Sequence, residues 1–154
     1  MSARVFLDTN LFVYAVDSSK AEQDISEQAR HLIRSAIEHN SGIISVQVLQ
    51  EFYNTATRKI ATPLTPDQAL EYVAYMGMLE VVEPSFAMVT SAIHLSQRLK
   101  FSFSDSMIVQ AALTADCAIL LSEDMQHGQR IDGMVIDNPF VTSGRQSRGC
   151  SNDT

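Results

Sequence analysis

VFLDTNLFVYA, residues 5–15, opens on three apolar side chains in succession, Val5, Phe6 and Leu7, and then meets an acid, Asp8. The apolar run from Ala3 to Leu7 has no polar alternation, which suits a strand covered on both faces inside a parallel sheet. Asp8 then stands where that strand ends. From Ile25, apolar residues recur at Ala29, Leu32, Ile33, Ala36 and Ile37, one face of a helix, and Asn40-Ser41-Gly42 supplies its stop. No element is assigned between Asp8 and Ile25. Gly42 to Ser45 reads as a second strand, and Ser45 caps a helix carrying Leu49, Phe52, Tyr53, Ala56 and Ile60 on one side, ending before Pro63. Glu51 lies beside that stripe.

Further along, Thr65, Pro66 and Gln68 combine an N-cap, a proline at the first helical position and a capping-box glutamine. They open a helix with Leu70, Val73, Ala74 and Met78 facing inward. Glu80 to Glu83 is a short strand, Ser85 caps a helix through Phe86, Val89, Ile93 and Leu99, and Ser104 caps another carrying Ile108, Ala111, Ala112 and Ala115. Cys117 to Leu121 is a buried strand; Asp132-Gly133 forms a turn, with Val135-Ile136 as a last strand. Strands alternating with helices predict an α/β sandwich, a central, mostly parallel sheet flanked by helices.

In such sheets ligands bind outside the carboxyl ends of the strands. Asp8 follows the first strand directly, Asp124 follows the strand ending at Leu121, and Asp105 sits at a helix start, where the dipole keeps a carboxylate ionised and an anion such as phosphate is welcome. Acidic side chains converging from separate segments repel one another unless a divalent cation lies between them. Magnesium matches carboxylates that come without a His pair or a cysteine; it leaves positions open for substrate phosphate and activates water.

The 154 residues, 45% hydrophobic, suffice for one domain with its own core. No apolar run approaches a membrane span, and MSARVFLDTN lacks signal-peptide regions, so a cytoplasmic protein is expected. Cys117 and Cys150 are far apart without metal or redox spacing, and neither is assigned a function. A net charge of -7 speaks against a broadly basic nucleic-acid surface, yet clustered metal-binding carboxylates themselves make a chain acidic. Residues 1–141 are expected to form the domain, and 142–154, with almost nothing apolar to bury, a disordered polar tail.

Four segments, in order, resemble the PIN-domain family: VFLDTNLFVYA at 5–15, SVQVLQEFYN at 45–54, FSFSDSMIVQAAL at 101–113 and LLSEDMQHGQ at 120–129. The resemblance spans the chain from about Arg4 to Phe140. It implies a PIN-like sandwich in which Asp8, Glu51, Asp105 and Asp124 are the catalytic acids and hold Mg2+ or Mn2+, with Thr9, Asn10 and Ser122 as hydrogen-bonding support. It further implies a ribonuclease that leaves a 5′-phosphate and a 3′-hydroxyl. Size and lack of extra domains resemble the VapC-like toxins of bacterial toxin–antitoxin pairs, which implies a homodimer silenced by a small antitoxin protein.

Each acid taken singly has an ordinary explanation: loop carboxylate, solvated helix residue, first-turn acid or turn former. Only four together, in order, call for a common one. Glu123, adjacent to Asp124, can exchange roles with it, and His127 just beyond is either an exposed turn residue or a contact to RNA phosphate. Asp17, Asp24, Glu71, Glu80, Asp132 and Asp137 read as surface or capping residues. Arg30, Arg34, Arg58, Lys59, Arg98, Lys100 and Arg130 offer basic surface near the cleft, with none preferred. Phe52, Met78, Phe86 and Met107 read as core or dimer interface rather than a base-stacking platform. Two alternatives stand beside the nuclease. One is a PIN-fold RNA- or protein-binding module without catalysis. The other is a haloacid-dehalogenase-like phosphatase, whose pattern wants a second Asp where this chain has Asn10.

Overall fold

The computed structural model describes residues 3–19 and 23–141. The element order is β1 (Val5–Leu7), α1 (Thr9–Val16), α2 (Gln23–Glu38), β2 (Gly42–Ser45), α3 (Val46–Arg58), α4 (Pro66–Met76), β3 (Glu80–Val82), α5 (Phe86–Leu99), α6 (Phe103–Thr114), β4 (Ile119–Leu121), β5 (Arg130–Ile131) and β6 (Met134–Asp137). The tail and Cys150 lie outside the described residues, and no helix among those described is long and apolar enough to cross a membrane.

All six strands join one sheet in the order β3-β2-β1-β4-β6-β5, parallel except for the β5–β6 pairing. The expected turn at Asp132-Gly133 joins β6 to β5, a strand not assigned from sequence, as a hairpin: Asp132 and Gly133 both take positive φ, 48° and 89°, as a tight turn between right-twisted strands requires. Phe6, Leu7, Ile43, Ile44, Leu120 and Ile136, all strand residues, are buried in the core, as continuous apolar strands of a covered sheet should be. Helices pack in neighbouring pairs over it, α1 against α2 and α3, α3 against α4, and α5 against α6.

Three local expectations are corrected. α1 was not foreseen, because TNLFVYAV is rich in β-branched and aromatic residues; Asp8 caps it, accepting a bond from the Thr9 N–H. In α4 the capping box at Thr65 and Gln68 is present, but the inward face runs through Ala69, Tyr72 and Met76, while Leu70 and Met78 are each 64% exposed. α6 is capped by Ser102, whose hydroxyl accepts from the Asp105 N–H at 3.1 Å, and Ser104 sits inside the first turn. That leaves the Ser104 hydroxyl available elsewhere.

Candidate active site

The chain leaves β1 to build β2 and β3 on one side and returns to build β4 on the other, so the switch point of the sheet falls between the ends of β1 and β4. Leu7 is in register with Leu121, which sets the next residues, Asp8 and Ser122, side by side. The Asp8 N–H donates to the Leu121 carbonyl at 3.0 Å, and the Ser122 hydroxyl donates to Asp8 Oδ2 at 2.8 Å. Asp8 Oδ1 accepts from the Thr9 N–H at 2.7 Å. Both oxygens of this carboxylate, only 6% exposed, are thereby fixed.

Thr9 reaches the other way: its hydroxyl donates to Glu51 Oε1 at 2.8 Å. Glu51 Oε2 accepts from Gln47 Nε2 at 3.0 Å, one turn earlier on α3, and from the Ser104 hydroxyl at 3.1 Å. The same Gln47 amide donates to the Ser104 carbonyl at 3.0 Å, tying the start of α6 to α3. Asn10 completes the α1 contribution, its Nδ2 donating to Asp124 Oδ1 at 3.0 Å. Asp124 is further steadied by its own N–H, which donates to the Ser122 hydroxyl oxygen at 3.3 Å.

Asp8, Glu51, Asp105 and Asp124, together with Thr9 and Asn10, line one cavity of about 270 Å3 at this carboxyl edge. Ser122 supports it from beneath through Asp8. Glu123 is not in its lining; its Oε1 accepts from the Tyr14 hydroxyl at 2.6 Å, one turn of α1 beyond Asn10. His127 is also elsewhere: its Nδ1 accepts from the Asn138 N–H at 3.0 Å and lies 3.6 Å from Asp137. Of the seven basic residues considered from sequence, Lys59 lines the cavity, whereas Arg98 pairs with Asp132 at 3.2 Å. The unforeseen contributors are Gln47, Ser104, Asn54 and Thr55. Gln47 carries a readable signal in hindsight, an amide one helical turn from an acid.

Burial pushes the Asp8 carboxyl up to about 6 from an ordinary 3.8; the carboxylates of Asp124 and Glu51 add to the rise, against the bonds from Thr9 and Ser122. Asp124 is raised as well, by burial first and then by the charge of Asp105. The acids therefore feel one another. Their donor set is oxygen alone, without His or Cys in the lining, which suits a hard divalent cation. Among the described residues no three His, Cys, Asp or Glu side chains are gathered tightly enough to ligate one ion by themselves. Magnesium tolerates that spacing, since it keeps several waters and takes one or two carboxylates directly.

A family model described as PIN domain matches residues 5–131. A search of curated protein sequences gave no match. Among solved structures, the chain is similar to the sarcin-ricin loop cleaving toxin VapC20 of Mycobacterium tuberculosis, at 16% identity and a TM-score of 0.59, over 75% of this chain and 86% of that one. It is similar to VapBC2 from Rickettsia felis, bound to a DNA fragment from their promoter, at 17% identity and a TM-score of 0.60, over 86% of this chain and 96% of that one. It is also similar to DNA-bound VapBC from Salmonella typhimurium, at 18% identity and a TM-score of 0.62, over 88% and 98%. At these identities the likeness is one of fold.

Proposed function

The chain belongs to the PIN-domain family, and from that premise we propose that it is a Mg2+- or Mn2+-dependent endoribonuclease, the toxin of a bacterial type II toxin–antitoxin pair. The observation that carries this reading is the meeting of Asp8, Glu51, Asp105 and Asp124, from four separate segments, in one polar cavity at the switch point of the sheet. The VapC20 and VapBC likenesses support the toxin and antitoxin part.

Asp8, Glu51, Asp105 and Asp124 would hold the cation. When bound, a divalent cation neutralises the scissile phosphate and makes a coordinated water acidic enough to attack. The chain's own residues prepare that event. Thr9 and Ser122 fix both oxygens of Asp8, Asn10 turns Asp124 toward the cavity, and Gln47 with Ser104 fixes Glu51. Preorganised carboxylates need little rearrangement as charge develops on the phosphate. Asp124, rather than Glu123, is the fourth acid, because Glu123 is engaged by Tyr14. A homodimer fits the apolar side chains that α5 leaves in solvent, Phe86 at 85% and Ile93 at 44% exposure.

The test is cleavage of total cellular RNA with Mg2+, run beside Asp8→Asn and Asp105→Asn. Wild type should yield discrete fragments, and either variant should be slower by at least about a hundredfold. Equal activity in all three would refute the assignment, and RNA binding without cleavage by wild type would favour the binding module.

A further inference from the structure

The candidate active site has one wall that the four acids do not explain. α3 presents Glu51, then Asn54 and Thr55, then Lys59 at its C-terminal cap, and all four line the same cavity. The positions follow at i, i+3, i+4 and i+8, so they share one side of the helix and span roughly 12 Å along its axis. One end of this row carries a carboxylate of the acidic cluster; the other end carries an ammonium group. Lys59 is exposed and makes no ion pair among the described residues. In a chain of net charge -7, a polyanion cannot be held by overall attraction, so its backbone needs a local cation beside the cavity.

We propose that Lys59, flanked by Asn54 and Thr55, binds a backbone phosphate of the RNA strand adjacent to the one that is cleaved. This rests on the ribonuclease reading and adds to it the direction of the strand, which runs from the acids along α3 toward its C-terminus. The lysine supplies the charge, and the amide of Asn54 and the hydroxyl of Thr55 supply donors that fix the phosphate in register. Lys59 is a substrate-binding residue in this assignment, remote from the reacting bond. A purely structural alternative exists, since a lysine at a helix C-terminus also balances the helix dipole. The two roles differ in what they move: the dipole role changes the melting temperature, and the phosphate role changes the salt dependence of RNA binding.

The experiment follows fluorescence anisotropy of a labelled single-stranded RNA of mixed sequence, in Mg2+ buffer across a salt series, with Asp8→Asn protein so that the probe survives. Adding Lys59→Gln should weaken binding about five- to tenfold at low salt and flatten the slope of log Kd against log salt by about 0.7, the loss of one single-strand phosphate contact. Lys59→Arg should restore both. Lys100→Gln, with the same charge change at the cap of α5 and outside the cavity, should leave the slope unaltered. Asn54→Ala should weaken binding without altering the slope, since it carries no charge. An unchanged slope in Lys59→Gln, or an equal change in Lys100→Gln, overturns the proposal while leaving the nuclease intact. Absence of RNA binding by the Asp8→Asn parent, with no cleavage by wild type, overturns both.

Discussion

Asp8 joins two demands that oppose each other: it caps α1 and faces a cavity shared with three other acids, yet it is almost wholly buried. Its carboxyl, pushed up to about 6, holds a proton more tightly in the folded chain than in the unfolded one. Sign follows from linkage. Below about pH 4 the group is protonated in both states and adds no penalty; as pH rises from there through 6, the folded state is asked to ionise it and loses stability, by about 3 kcal/mol in all. Asp124, shifted the same way, adds to the trend. Asp8→Asn removes the penalty without removing the cap, because asparagine caps as well as aspartate and its Nδ2 can donate to the Ser122 hydroxyl oxygen. In chelator at neutral pH the variant should therefore melt several degrees above wild type, and the gap should close near pH 4. Saturating Mn2+ should close most of the neutral-pH gap. At about a hundred times its dissociation constant, a cation that binds only the folded wild type adds roughly 2.7 kcal/mol, most of which Asp8→Asn should lose. Calorimetry at several pH values, with and without metal, checks both halves; a variant that melts like wild type throughout would separate Asp8 from the other acids.

At the scale of elements, the parts that could be read from sequence are those whose signals are local. β2 was legible from Gly42 to Ser45, and α4 from its capping box, because both depend on residues within a turn of each other. α1 was not legible: Thr9, Phe12, Val13, Tyr14 and Val16 favour strands, and their helix is decided by the Asp8 cap and by packing on α2 and α3. The inward face of α4 escaped for a related reason. Leu70 and Met78 look like core by composition, but only the position of α3 decides that Ala69, Tyr72 and Met76 face in, Tyr72 stacking on Phe52 at 5.2 Å. Asp8, Asp105 and Asp124 were readable because each follows a strand or opens a helix, and Glu51, inside α3, through the resemblance of its segment, whereas Ser104 matters through contacts with Gln47 and Glu51, 57 and 53 residues away, that leave no local trace. Gly42 shows the same dependence. A methyl group there would lie 2.6 Å from Leu79 Cδ2 and 2.8 Å from Ala36 Cβ. The leucine tip can move, but the alanine Cβ shifts only with its helix, so Gly42→Ala should destabilise the protein by about 1–3 kcal/mol through overpacking. A melting point within a degree of wild type would show that α2 yields more readily than its packing indicates.

For the whole molecule, the distribution of apolar surface is the remaining question that sequence left open, since Phe86 and Met78 were equally compatible with core and interface. Both are in solvent within a single chain, Phe86 at 85% and Met78 at 64% exposure, and α5 adds Val89 and Ile93 to the same side as Phe86, at spacings of three and seven. Isolated exposed apolar residues are ordinary on a protein surface, but a helix face with three of them in helical register marks an interaction surface. The opposite side of α5 already buries Met88, Ala92 and Leu95, so rotation of the helix cannot hide Phe86 and Ile93. In the homodimer proposed above, a second copy of the chain offering the identical face about a twofold axis would cover this face on both copies at once. Free wild-type protein should then scatter light as a dimer at micromolar concentration. Ile93→Asp should yield a monomer with an unchanged circular dichroism spectrum, because a 44% exposed side chain contributes little to the fold but places an unpaired charge in a closed interface. Phe103→Ser, an exposed position at the start of α6 outside that register, should leave the dimer in place. Monomeric wild type, or a dimer indifferent to Ile93→Asp, would assign the apolar face of α5 to a different occupant.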